Sequence, residues 1–216
     1  NIVAVSRAVG DDLQRNLPIR PRRLAVINNP FDIDAIQQQA AMPCELAGQD
    51  YLVHVGRFHA TKRHDRLLKA YAHSGIQAPL ALIGAGDDAR VAEVKRLATD
   101  LGIAERVLFL GFQANPYPFI RHASLLVLSS DSEGFGNVLV ESLLCGTPVV
   151  STRCPGGPAE ILEKAGMANA LAELNEASLA EKMAEIYANP PQINQQQLLS
   201  YGLEPICRQY LELERK

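Results

Sequence analysis

With 216 residues, 47% of them hydrophobic and 21% charged, the chain is long enough to bury one sizeable core. A formal net charge of −3 argues against a nucleic-acid surface, which carries a basic stripe. No apolar run approaches the roughly 20 residues of a membrane helix, and the 4 cysteines are scattered without a C-x-x-C pair, as in a cytoplasmic protein with reduced thiols.

The chain opens into a strand at 3–6 (VAVS) and a helix over about 7–16. A loop carrying Pro18 and Pro21 follows, so 1–20 reads as the tail of an upstream domain, left by a cut at an interdomain crossing. Further strands are expected at 23–28, 51–56, 80–83, 106–111, 125–129 and 148–152. Helical patterns lie between them at about 64–74, 88–101, 116–122, 137–145 and 157–164. In the second of these, Val91, Val94, Leu97, Ala98 and Leu101 recur at helical spacing and make one apolar face. Strands that are apolar throughout, each followed by a helix, predict an α/β fold: a Rossmann-like parallel sheet covered by helices on both faces.

From 171 onward the strands stop, and 178–187 and about 195–215 read as helices, the second interrupted or kinked at Pro205. The main domain is expected over 21–190. Residues 191–216 would form a C-terminal helix packing toward the upstream domain, with Leu198, Leu199, Ile206, Tyr210 and Leu213 as its apolar face.

Open parallel sheets bind ligands beyond the carboxyl ends of their strands, so each strand–helix junction is a possible site wall. In VGRFHATKRHD, 55–65, Gly56 ends a strand, Arg57 follows at once, Thr61 is a plausible N-cap and Lys62 lies near the next helix start. A guanidinium and an ammonium beside a helix N-terminus suit a diphosphate; two solvated cations on a surface loop are the plainer alternative. His59 and His64 read as loop or surface residues, since no metal-like spacing joins them to a carboxylate.

In LIGAGDDA, 82–89, Gly84, Gly86 and Ala89 satisfy the dinucleotide pattern G-x-G-x-x-G/A. Asp87 and Asp88 would oppose a pyrophosphate, however, and the next strand ends in Gly111, Phe112 and Gln113 rather than in a ribose-binding acid. A tight turn with two aspartates favouring the helix dipole explains the stretch.

The third junction, SEGFGNVLVESLLCGTPVV, sets Glu133 and Glu141 on either side of a helix start near Asn137. Gly134 and Gly136 let the backbone approach a ligand, and the amides of Asn137 and Val138 point outward. A carboxylate accepts bonds from a vicinal diol, so each glutamate suits a ribose or hexose, with Arg57 and Lys62 balancing phosphates from the opposite wall. Taken singly, Glu133 could be a solvated loop acid and Glu141 a helix surface residue; together they favour a nucleotide-sugar site. Asp131-Ser-Glu133 matches a D-x-D metal motif only superficially, and no Walker A, G-x-S-x-G or H-E-x-x-H is present.

These motifs resemble the C-terminal, donor-binding half of retaining GT-B glycosyltransferases of family 4, in the bacterial surface-polysaccharide form. The match runs from VAVSRAVGDDL and LAVINNPFD through VGRFHATKRHDRLLKAY, LIGAGD, RVLFLGF and SSDSEGFGNVLVESLLCGTPVVST to CPGGPAEIL, about 3–162.

The resemblance implies that Arg57 and Lys62 hold the donor's diphosphate and, with Glu133 on the sugar hydroxyls, carry the catalysis this half supplies. It places Glu141 on the ribose, the amides around Phe135, Gly136, Asn137 and Val138 on sugar and β-phosphate, and Gly56 beside them. Gly84 and Leu110 to Phe112 would meet the base, for which UDP is the expected nucleotide. It implies no metal or other cofactor, no protein base or nucleophile here, and retention at the anomeric carbon. A glycan or lipid-linked acceptor, and any contact with the inner face of the membrane, would belong to the upstream domain, so that this half binds donor without completing transfer.

After Ile161 the family usually continues into a glycine–apolar–Val-Pro segment. EKAGMANALAELNEASL is compressed by comparison and lacks that proline, so the outer edge near the ribose differs. Three other readings remain beside this one: a GT-B-type sugar-nucleotide epimerase, which needs more titratable groups in the cleft; a nucleotide-binding module without chemistry; and the dehydrogenase of the glycine pattern.

Overall fold

The computed structural model describes residues 1–16, 18 and 20–214. Its centre is set by four-residue strands that are apolar or nearly so and buried on both faces. β3 (Leu52–Val55), β4 (Leu80–Ile83), β6 (Leu125–Leu128) and β7 (Val149–Thr152) join β5 (Val107–Gly111) and a two-residue strand, β8 (Leu171–Ala172). All six run parallel in the order β5-β4-β3-β6-β7-β8. A strand apolar on both faces must be covered on both, and the helices between the strands do this, so the sheet is Rossmann-like. Burying a leucine such as Leu126 completely contributes roughly 1.5–3 kcal/mol.

Helices α3 (His64–His73), α4 (Asp88–Asp100) and α8 (Glu176–Ala188) form one packed group. A second comprises α2 (Ile33–Ala40), α5 (Tyr117–His122), α6 (Asn137–Leu144), α7 (Pro158–Lys164) and α9 (Gln195–Leu198). Apart from the main sheet, β1 (Ile2–Ala4) pairs in parallel with β2 (Leu24–Val26) across helix α1 (Arg7–Asn16).

The sequence misplaces several features. The α2 helix was not expected: its three glutamines hide an apolar face of Ile36 and Ala40, and Asp32 caps its start by accepting from the Ala35 amide. Strands do not stop at 171, because β8 adds an edge there, too short to show any alternation. The C-terminal break falls at Gly202, between a 3-10 turn over Leu199–Tyr201 and α10 (Leu203–Glu214). Pro205 sits in the first turn of α10, where its missing N–H breaks no helical bond. The expected helix end at Arg215 lies outside the described residues. Of the apolar face expected at this end, Leu198 and Ile206 are buried while Leu199 and Tyr210 are exposed.

Candidate functional site

In this strand order the chain leaves β3 toward β4 on one side and returns to start β6 on the other. Crevices open outside the carboxyl ends of strands at such a reversal. Here the β3–α3 loop faces the β6–α6 loop. A cleft of about 360 Å3 lies at this edge, lined by Asn29, Val55, Lys62, Glu133, Phe135, Gly136, Asn137, Val138 and Glu141. Seven of the residues expected from the sequence thus converge on one concavity.

The others border it or lie away from it. Gly134 belongs to the same loop, where its carbonyl accepts from Ser6 Oγ at 2.9 Å. The ends of β3, β4 and β5 form a shelf of backbone: the Gly56 amide donates to Ile83 O at 2.9 Å, and the Gly84 amide to Gly111 O at 2.8 Å. A Cβ on Gly84 would stand 2.0 Å from the Gly56 carbonyl oxygen, so this shelf requires glycine. Leu110, Gly111 and Phe112 continue it, with Phe112 73% exposed, and do not line the cleft. Arg57 is exposed and does not line it either.

Lys62 and Glu133 do not face each other across a gap. Lys62 Nζ donates to Glu133 Oε1 at 2.6 Å, and Ser130 Oγ donates to the same oxygen at 2.6 Å. The lysine comes from a 3-10 turn, Ala60–Lys62, whose N-cap is His59; Thr61 gives its amide to that imidazole and is not itself a cap. The next residue, Arg63, adopts the left-handed conformation and starts α3.

His64 is not a surface residue: it is fully buried, stacked on Phe58 with ring centroids 4.5 Å apart and 4.8 Å from the ring of His54. Burial pushes His54 down to about 4, and burial together with His54 and Arg90 pushes His64 down to about 2, so both are neutral packing groups beneath the cleft.

Glu141 is the desolvated carboxylate of the cleft. Burial raises it above the usual range, and a hydrogen bond from Tyr117 on α5 partly offsets the rise. A half-buried carboxylate beside one phenol keeps lone pairs for further donors. At the start of α6, Gly136 is a left-handed N-cap without a side-chain bond, which leaves the first amides of the helix facing the cleft. The Asp87 carboxylate, by contrast, accepts from the Arg90 amide at 2.8 Å, so the glycine-rich turn before α4 already carries its own anion.

Two contributors escaped the sequence reading. Asn29 donates from Nδ2 to Asn137 Oδ1 at 2.7 Å and walls the cleft from the loop after β2. Gly156, in CPGGP, has φ +126°, and a Cβ there would lie 1.7 Å from the Glu133 carbonyl oxygen, while the Glu133 amide donates to Pro155 O at 3.0 Å. The loop bearing Glu133 is therefore seated on glycine backbone. The doubled glycine signalled that close contact, but nothing in the sequence names its partner. Among the described residues, no group of three or more His, Cys, Asp or Glu is arranged to hold a metal ion, and no helix is long and apolar enough to cross a membrane.

With this geometry in hand, comparison with known proteins is specific. The family model described as "Glycosyl transferases group 1" matches residues 43–202. Over 151 residues the chain is 34% identical to the N-acetylgalactosamine-N,N'-diacetylbacillosaminyl-diphospho-undecaprenol 4-alpha-N-acetylgalactosaminyltransferase of Campylobacter jejuni, covering 70% of this chain and 40% of that protein. It is 42% identical over 103 residues to the lipopolysaccharide core biosynthesis glycosyltransferase LpsE of Rhizobium meliloti, covering 47% of this chain and 29% of the relative. The crystal structure of Anabaena HepE in complex with UDP superposes with a TM-score of 0.80 at 26% identity, over 99% of this chain and 63% of that one. The chain thus spans less than half the length of these two curated relatives.

Proposed function

The chain belongs to the glycosyl transferases group 1 family, and on that premise we propose that its carboxyl-edge cleft binds a nucleotide-sugar donor, with UDP as the nucleotide, for transfer of a hexosyl or N-acetylhexosaminyl group with retention of configuration. The observation that carries this reading is the convergence of Lys62, Glu133, Glu141 and the uncapped start of α6 on one cleft at the strand-order reversal. The UDP complex of HepE and the N-acetylgalactosaminyltransferase relative support it.

In this reading the diphosphate lies against the first amides of α6, where the helix dipole and Lys62 favour negative charge, with Arg57 reaching in from the rim. Arrival of the phosphates draws Lys62 away from Glu133 and frees Glu133 Oε1 for a hydroxyl of the sugar. Glu141 takes the ribose diol, and the glycine shelf at Gly56, Gly84 and Gly111 leads toward Phe112 and the base. The cations and amides stabilise the charge that develops on the departing nucleoside diphosphate, the largest contribution such a site makes. The glycan or lipid-linked acceptor, and contact with the inner face of the membrane, fall to parts of the protein beyond these residues, so the chain alone binds donor without completing transfer.

Calorimetric titration with UDP, GDP, ADP and NADH tests the reading. UDP is expected to bind most tightly, with weaker binding in Glu141→Ala, Lys62→Ala and Arg57→Ala. Preference for NADH, or UDP affinity indifferent to all three substitutions, contradicts it.

A further inference from the structure

We propose that Asp131, through Arg63 and Arg66, is a positioning residue that sets Lys62 in place for the diphosphate; this rests on the donor-site reading above. The starting observation is the backbone of Arg63. With φ 50° and ψ 53°, it is the only non-glycine residue with positive φ among the described residues. A non-glycine residue in the left-handed region persists only where its surroundings over-determine it, and such residues gather at functional sites.

The surroundings here are three charged side chains, Asp65, Asp131 and Arg66. Arg63 donates from Nε and Nη2 to the two oxygens of Asp65, at 2.8 and 2.9 Å, and from Nη1 to both oxygens of Asp131, at 3.1 and 3.0 Å. Arg66, almost wholly buried, donates to Asp131 Oδ1 at 2.6 Å and to Ser129 O at 2.9 Å. Planar forks on carboxylates fix direction as well as distance.

Backbone bonds complete the clamp on either side of Lys62. The Asp131 amide donates to Thr61 O at 2.8 Å, and Ser129 Oγ donates to Lys62 O at 2.7 Å. The turn presenting Lys62 is thereby stitched to the segment that runs into Glu133, two residues past Asp131. Lys62 ends a single 3-10 turn, which is held by its own backbone bonds and the His59 cap, so the clamp adds the ties that join it to the β6–α6 loop.

A mere structural brace would make the same contacts, so the test must separate the two roles. UDP affinity is measured by calorimetry for the wild-type chain, Asp131→Asn, Lys62→Ala and the double variant, with thermal midpoints taken in parallel. Asp131→Asn is expected to weaken UDP binding about tenfold in the wild-type background and less than about twofold in the Lys62→Ala background, because its effect passes through Lys62. Arg63→Gly removes both ion pairs but suits the backbone, so it should keep the thermal midpoint within a few degrees and still weaken UDP. Should Asp131→Asn fail to fold, Arg63→Gly carries the same cycle with Lys62→Ala. UDP binding unchanged in these variants, or weakened equally with and without Lys62, overturns the positioning role while leaving the donor site standing. A wild-type chain that does not bind UDP overturns the donor-site reading, and this inference with it.

Discussion

At the amino edge of the six-stranded sheet the polar side chains are used by the protein itself, whereas at the carboxyl edge they converge on a cleft. The amino edge has the larger depression, about 720 Å3 against about 360 Å3. Yet Asp50, which lines it, already accepts from Ser124 Oγ at 2.6 Å and from the Tyr187 hydroxyl. Close by, Tyr51 and Thr147 each donate to a backbone carbonyl at 2.6 Å, from Phe119 and Ile120 respectively. At the carboxyl edge Glu141 is desolvated with one partner, and the start of α6 is uncapped. Volume marks where segments fail to meet; capacity for a ligand marks where donors and acceptors are left over.

The sharpest way to break the contrast is through glycine. Gly156→Val drives a side chain into the Glu133 carbonyl and is expected to cost more than about 4 kcal/mol or to prevent folding, as read by urea denaturation. Gly146→Ala, beside the amino-edge depression, meets nothing within 4 Å and pays only for its φ of +87°, about 1 kcal/mol. Equal losses at the two positions would contradict the difference.

Next in size is pH. His54 and His64 ordinarily titrate near 6.5 but are held down to about 4 and about 2, so the unfolded chain binds protons that the fold refuses. Stability is therefore full above about pH 6.5 and declines as pH falls, with His54 alone accounting for roughly 3 kcal/mol by pH 4. Thermal midpoints measured across that window should fall with pH, and His64→Phe, which retains the stacking on Phe58, should flatten the decline.

Two smaller changes separate stability from binding. Thr147→Val removes a buried donor from Ile120 O and should cost about 1–3 kcal/mol of stability while leaving UDP affinity untouched. Glu141→Gln should do the reverse. Burial raises this carboxyl, so its ionised form works against folding near neutral pH, and the amide is expected to raise the thermal midpoint slightly. UDP binding should weaken about tenfold, the equivalent of 1.4 kcal/mol.

The sheet was legible because LALI and LLVL leave no polar face, and a strand of that kind has one home. The placing of Glu133 and Glu141 about the start of α6 was also legible, since Glu141 lies one turn inside the helix and Glu133 in the short loop that leads into it. The Lys62–Glu133 contact did not show, because it spans 71 positions and depends on the order of β3 and β6. His64 was misread for a related reason: a polar residue at a helix start looks solvated until Phe58 and His54 close over it. The β8 edge, at two residues, is too short for any period to register.

Amide chemical shifts of the 216-residue chain titrated with UDP locate the nucleotide residue by residue. Perturbations are expected at Gly56, Lys62, Gly84, Glu133 to Val138 and Glu141, with Asp50, Ser124 and Tyr187 silent. Shifts concentrated around the amino-edge depression, with the carboxyl edge undisturbed, would contradict a donor site in the carboxyl-edge cleft.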